Sequence, residues 1–168
     1  MPAVIIRDAT VDDIVALTEI HNEAIRNSRA IWIDHEVTLP EREAWFAQHE
    51  ADGHPVLVAE VDGAVVGYAA YSWYRPRPGY RFTVENSVYL RPEAQRAGIG
   101  RALMVEIITA ARAAGMHTMM AGIEASNTGS IALHEGLGFV EVGRLPEVGI
   151  KYGDWLDLVL LQLRLGRA

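Results

Sequence analysis

Apolar positions recur along the chain with two different periods. Ile14, Leu17, Ala24 and Ile25 fall on one face of a 3.6-residue repeat, and His21 shares that face. Thr10 stands where an N-cap belongs, with Asp12 and Asp13 in the first turn, where the helix dipole favours negative charge. A short apolar run over residues 4–6 before this helix reads as a strand, and a second helix is predicted over 41–51, after Pro40. The middle of the chain changes to strand character. Residues 56–61 and 64–71 flank Asp62-Gly63, a strong hairpin signal, and another strand is predicted over 80–90. Leu103, Met104, Ile107, Ile108 and Ala111 return to helical spacing and predict a helix over 100–114, ended by Gly115. A buried strand over 118–124, a short helix over 127–135 stopped by Gly136, and strands over 139–143 and 155–165 complete the series. The order β, α, α, β-β-β, α, β, α, β, β is mixed α/β with hairpins, not a regular βαβ wind. No linker or repeat divides the 168 residues, so a single domain is expected.

Charge and composition narrow the possible functions. Lys plus Arg number 15 and Asp plus Glu 22, a formal charge of −7. That acidity argues against broad nucleic-acid binding, though not against a local basic patch for an anionic ligand. There are no cysteines, which excludes disulfides, thiolate metal sites and a cysteine nucleophile. The histidines show no close metal-ligand spacing on one element, so no metal is expected. The N-terminus lacks the basic-then-apolar build of a signal peptide, and no apolar run reaches the ~18 residues of a membrane span. A soluble cytoplasmic protein with no membrane partner is the expectation.

The stretch richest in chemical signal is Val88-Tyr89-Leu90-Arg91-Pro92-Glu93-Ala94-Gln95-Arg96-Ala97-Gly98-Ile99-Gly100-Arg101. A strand leads into a turn with two glycines and then directly into a helix. Backbone N–H groups at a helix start are unpaired and the dipole there is positive, so the turn suits an anion. Glycine lets that anion approach, and Arg96 and Arg101 add charge. A diphosphate is the natural ligand. A Walker loop would need Gly-Lys-Ser/Thr, which is absent, and a dinucleotide fingerprint would need glycine where Leu103 stands.

Gln95, Gly98 and Gly100 match the Gln/Arg-x-x-Gly-x-Gly/Ala signature of the GCN5-related N-acetyltransferase superfamily. About thirty residues on, Asn127, Gly138 and Phe139 match that superfamily's second segment, with Ser130 at its small-residue position and His134 where tyrosine is usual. Thr83-Val84-Glu85-Asn86-Ser87-Val88-Tyr89-Leu90 is similar to the corresponding strand of the phosphinothricin and methionine sulfoximine/sulfone N-acetyltransferase subgroup, which also carries the histidine. The resemblance runs over nearly the whole chain. It implies the acyl-CoA N-acyltransferase fold: a mixed, mostly antiparallel sheet with flanking helices and a splayed central strand pair.

The resemblance also implies roles. Acetyl-CoA, the cosubstrate, would lie in the splay. Val88, Tyr89 and Leu90 would hold the pantetheine arm, and Arg96, Ala97, Gly98, Ile99, Gly100 and Arg101 would wrap the pyrophosphate. Asn127 and Ser130 would approach from the other side. An amine must lose its proton to attack a thioester, so a general base is wanted, and Glu85 matches the family's proposed base. A backbone N–H near Val88 would meet the oxyanion. His134 would protonate the leaving thiolate or orient the thioester, with hydrogen-bonded packing as its rival reading. His21 reads as structural or pocket-lining, and His117 as a helix cap.

On the acceptor side, Arg75 and Pro76 match the family's substrate loop. Arg77, Asn86, Ser87, Glu85 and Trp32 complete the expected substrate-binding set. Arginine forks suit an anionic or strongly polar amino-acid end. Ser72-Trp73-Tyr74, Arg77, Asn86 and Asp154 depart from the subgroup pattern, and they cluster toward the expected acceptor side. The expected activity is N-acetylation of a small amino acid such as phosphinothricin, methionine sulfoximine or methionine sulfone, in a homodimer. Acetylation of peptide N-termini or other amines, and acyl-CoA sensing without catalysis, are the alternatives.

Overall fold

The computed structural model describes residues 3–166. Its elements are β1 (Val4–Asp8), α1 (Ile14–Asn27), α2 (Leu39–Asp52), β2 (Val56–Val61), β3 (Ala64–Trp73), β4 (Thr83–Leu90), α3 (Ile99–Ala113), β5 (Thr118–Glu124), α4 (Thr128–Glu135), β6 (Val140–Lys151) and β7 (Asp154–Arg164). The strands form one open seven-stranded sheet in the order β1-β2-β3-β4-β5-β7-β6. Every neighbouring pair is antiparallel except β4 and β5, which run parallel.

Apolar faces set the layers. Leu103, Met104, Ile107 and Ala111 of α3 bury their row against Ala69, Val84, Met119 and Leu161. On the opposite face Ile14, Leu17 and Ile20 of α1 and Phe46 of α2 pack on Val58, Tyr68 and Ala70. The two faces of β4 therefore differ by parity. Val84, Val88 and Leu90 belong to the α3 side, while Tyr89, and with it Glu85 and Ser87, lie on the α1 side.

One turn matches the sequence expectation and three boundaries differ from it, each for an identifiable reason. Asp62 and Gly63 both have positive φ (49° and 79°), the type I′ geometry that the dipeptide predicts. The helix expected at 41–51 begins two residues earlier. Thr38 caps it, with its N–H on Glu41 Oε2 (2.7 Å), and Pro40 sits in the first turn, where its missing N–H is harmless. The strand expected from residue 80 starts only at Thr83, because Pro78–Tyr80 forms a 3₁₀ turn closed by Tyr80 N–H to Arg77 O (2.9 Å). The strand expected over 139–143 runs on to Lys151 through Pro146. β6 is an edge strand, so a proline costs no ladder bond on its open side. The register slips there, and Glu147 takes φ 48° with its N–H on Asp157 Oδ1 (2.7 Å).

No helix among the described residues is long and apolar enough to cross a membrane.

Candidate active site

The parallel β4–β5 ladder pairs only Thr83, Val84 and Glu85 with Thr118, Met119 and Met120. Beyond Glu85 the strands part, and β4 remains paired on its other edge with β3 as far as Leu90. Arg91 N–H bonds to Val66 O on β3 (2.8 Å). Alternation along an extended strand therefore turns the N–H groups of Val88 and Leu90 the other way, into the gap. Those are unspent donors lining a fork.

Three cavities meet at this fork, and Val88 and Asn127 border all of them. The smallest is only about 60 Å³ and is lined by Asn86, Ser87, Gly122, His134 and Ala30. A larger one of about 570 Å³ lies toward α3 and α4, bordered by Arg96, Gly98, Gly100, Arg101 and Ser130. The third, about 510 Å³, opens toward α1.

The turn before α3 has the geometry an anion needs. Arg96 (φ 62°) and Gly98 (φ 81°) are both left-handed, which curls the backbone into a concavity. No backbone N–H of residues 96–101 has a partner among the described residues, and the first helical bond is Ala102 N–H to Gly98 O (3.0 Å). Gly100 is buried where a Cβ would come within 3.3 Å of Leu90 and 3.5 Å of Leu133. Arg96 and Arg101 are exposed beside these amides, as is Ala97. Asn127 is the N-cap of α4, accepting from Ser130 N–H (3.1 Å), which points a second helix start at the same cavity. These residues fit an acyl-CoA diphosphate: unpaired amides, two arginines and room for a chain leading into the fork.

Glu85 is half-buried on the α1 side of β4, at the last rung before the fork. Burial pushes its carboxyl above the usual carboxylate range, and the nearby positive charge of Arg75 opposes that shift. A Cβ on Gly122, across the gap on β5, would lie 3.1 Å from Glu85 Oε1, so that glycine leaves the space the carboxylate uses. Gly122 and Glu124 are absent from the sequence-based set. A glycine inside the apolar run 118–124 was the available signal, since such a residue marks close approach. Glu124 is buried and bound to Ser126 N–H (3.1 Å) and Ser126 Oγ. It borders the smallest cavity and the α1-side cavity, a placement no local pattern announced.

His134 is 2% exposed. Its Nδ1 lies 2.8 Å from Ser130 O and its Nε2 3.0 Å from Asn86 Oδ1, while Asn86 Nδ2 donates to Met120 O (3.1 Å). Met120 O is in the last rung of the ladder, so Asn86 ties the two strands at the point where they separate. Both ring nitrogens face acceptors, an arrangement satisfied in full only by the imidazolium, whereas burial pulls the pKa below the usual histidine range. His21 contacts the hydroxyl of Tyr68 through Nδ1 (2.9 Å) and meets Tyr89 edge-on, and burial, with Arg42 nearby, takes its pKa down to about 4. His117 gives its backbone N–H to Phe82 O and accepts from Leu165 N–H. α3 is instead closed by Ala114 N–H to Ala110 O and by Gly115 at φ 75°. The expected cap is thus supplied by backbone.

Of the expected acceptor residues, Asn86 and Ser87 border the smallest cavity. Arg75 is exposed, close enough to act on Glu85, with its guanidinium 4.8 Å from the Tyr74 ring. Pro76 and Arg77 are exposed on the same loop. Trp32 stands apart from the three cavities. It packs on Gly149 of β6, where a Cβ would be 2.1 Å from the ring, and its Nε1–H bonds to Arg29 O (2.9 Å). Ala30, two residues earlier, reaches the fork in its place.

An open mixed sheet split at a parallel pair, with an anion cradle at one mouth, is the layout that an acyl-CoA-dependent transferase needs. The chain belongs to the acetyltransferase (GNAT) family, whose profile matches residues 17–139, and it is an acetyl-CoA-dependent N-acetyltransferase. It is 46% identical over 160 residues (95% of this chain, 94% of the relative) to the L-methionine sulfoximine/L-methionine sulfone acetyltransferase of Salmonella typhimurium. Among solved structures it is similar to a phosphinothricin acetyltransferase of Sinorhizobium meliloti in complex with acetyl-CoA (TM-score 0.94, 40% identity, 97% of this chain and 89% of that one). It is also similar to a ribosomal-protein-alanine N-acetyltransferase of Brucella melitensis (TM-score 0.94, 48% identity, 95% and 99%).

Proposed function

We propose that the protein moves acetyl from acetyl-CoA to the α-amine of a small amino acid with an anionic or strongly polar end, of the methionine sulfone, methionine sulfoximine or phosphinothricin kind. The observation that carries this is the position of Glu85, half-buried at the last rung before the fork, with the charge of Arg75 on the exposed acceptor loop near enough to act on it. One group suits a proton, the other an anion. The similarity to the Salmonella and Sinorhizobium enzymes supports the same substrate class.

Bound acetyl-CoA supplies a thioester carbonyl open to attack. Glu85, on the α1 side, takes the proton that the amine must lose as its nitrogen bonds to the carbonyl carbon. The Val88 N–H, aimed into the gap, stands where charge grows on the carbonyl oxygen. The carbon–sulfur bond then breaks, coenzyme A leaves as the thiolate, and the proton taken up by Glu85 returns to it through water to give the thiol. The amides of Arg96, Ala97, Gly98, Ile99, Gly100 and Arg101 hold the diphosphate, with Tyr89, Leu90, Asn127 and Ser130 along the arm where the cavity toward α3 and α4 meets the small one at the fork. His134 orients rather than donates, since its Nε2 is committed to Asn86.

A peptide N-terminus is the second reading, supported by the similarity to the Brucella protein. A homodimer is inferred from β6 and the β6–β7 hairpin, where Val148, Ile150 and Trp155 are 51%, 51% and 63% exposed along an unpaired sheet edge. Thiol release from acetyl-CoA, measured across amino acids, amines and an alanine-initiated peptide, tests the substrate reading. Saturable release with methionine sulfone or phosphinothricin is expected. Turnover of the peptide alone would overturn it.

A further inference from the structure

Lys151 ends β6 and is 2% exposed, a depth that lysine seldom reaches unpaired. No carboxylate lies within ion-pair distance of it among the described residues. Its Nζ instead donates to Ile25 O (2.7 Å) and to Ser28 O (2.7 Å). Ile25 lies in the last turn of α1 and Ser28 follows its end, so both carbonyls belong to the negative, unpaired end of that helix.

The neighbouring residues reinforce the same junction. Tyr152 donates its hydroxyl to Ile25 O (3.2 Å) and its N–H to Asp34 Oδ1 (3.3 Å). Arg29 pairs with Asp154 (2.7 Å), and Gly149 lies flat against Trp32. The end of the β6–β7 hairpin thus grips the chain leaving α1 at several points. That stretch contributes Asn27, Ser28, Arg29 and Ala30 to the α1-side cavity, and Ala30 to the fork itself. It is the side of the sheet that Glu85 faces.

We propose that Lys151 is a positioning residue for the acceptor amine: its two hydrogen bonds to the C-terminal carbonyls of α1 fix the cavity wall formed by Ser28, Arg29 and Ala30, on the α1 side of the sheet that Glu85 also faces. The inference rests on the reading of the Glu85 side as the acceptor side. It concerns neither the cradle before α3 nor the cap of α4, which Lys151 does not touch. A merely structural lysine would lower the melting temperature on replacement without separating the two substrates.

Lys151→Met keeps the stem and removes the donors. The KM for the amino acid is expected to rise about tenfold, as for two lost charge-assisted bonds. The Kd for acetyl-CoA by calorimetry should stay within about twofold. Hydrogen–deuterium exchange should quicken over residues 28–34 and not over 96–102. Tyr152→Phe removes one hydroxyl donor from the same carbonyl and should shift the acceptor KM about threefold in the same direction. That variant decides the matter if Lys151→Met does not fold. An unchanged acceptor KM, or an acetyl-CoA Kd that rises in step, would overturn the proposal. Wild-type turnover on the acceptor panel is measured first, so a failure of the functional reading registers there. Unaltered exchange over 28–34 in Lys151→Met would defeat the clamp by itself.

Discussion

At Glu85 two environments compete. Burial favours the neutral acid, and the Arg75 guanidinium favours the anion, with burial the stronger. Such a carboxyl is a better proton acceptor than an ordinary one, at a cost to stability. Because the folded state holds its proton more tightly than the unfolded chain does, stability falls as pH rises from the ordinary glutamate range through the raised value. The loss persists at neutral pH. Glu85→Gln should therefore melt about 1–3 °C higher than the parent near pH 7.5, and the difference should vanish near pH 4, by calorimetric scanning at both values. Gly122→Ala addresses the same carboxylate from outside. The added Cβ, 3.1 Å from Oε1, must push it by a few tenths of an ångström. Steady-state kinetics should show kcat/KM down about tenfold.

Among the elements, the proposed reading gives the anion to the start of α3 and the pantetheine arm to the gap between β4 and β5. Gly98 meets no atom within 4 Å of a built Cβ, so Gly98→Ala tests backbone strain alone at φ 81°. Roughly 1–2 kcal/mol of strain should weaken acetyl-CoA about tenfold in calorimetry. The α3 and α4 starts were legible because Gly98, Gly100 and Asn127 act locally, through caps and turns. The helical faces were legible because burial imposes a period, as at Leu103, Met104 and Ile107. The continuation of β6 through Pro146 was not, since only its place at the sheet edge permits it. Nor was the Lys151 contact with α1, which joins residues more than a hundred positions apart. Trp32 shows the same limit. Its loop does border the fork, but through Ala30, because Gly149 draws the indole to β6.

In the molecule as a whole, α1 and α2 cover one face of the sheet and α3 the other, and the fork lets the two sides communicate. The exposed apolar residues of β6 and the β6–β7 hairpin belong to the same end as the Lys151 junction. A dimer through that edge would stiffen the acceptor wall. Ile150→Glu with Trp155→Glu should halve the mass seen in sedimentation equilibrium, since like charges would face each other across a two-fold contact. An unchanged mass would place the contact elsewhere. The account depends most on a thioester held in the fork within reach of Glu85. The pH dependence of kcat/KM for the amino acid, compared between the parent and Glu85→Gln, measures this most directly. The parent should show an acid limb above the ordinary glutamate range, and Glu85→Gln should lose that limb and about 10²–10⁴ of the rate with its acetyl-CoA affinity intact. A Glu85→Gln enzyme that keeps both the rate and the limb would contradict it.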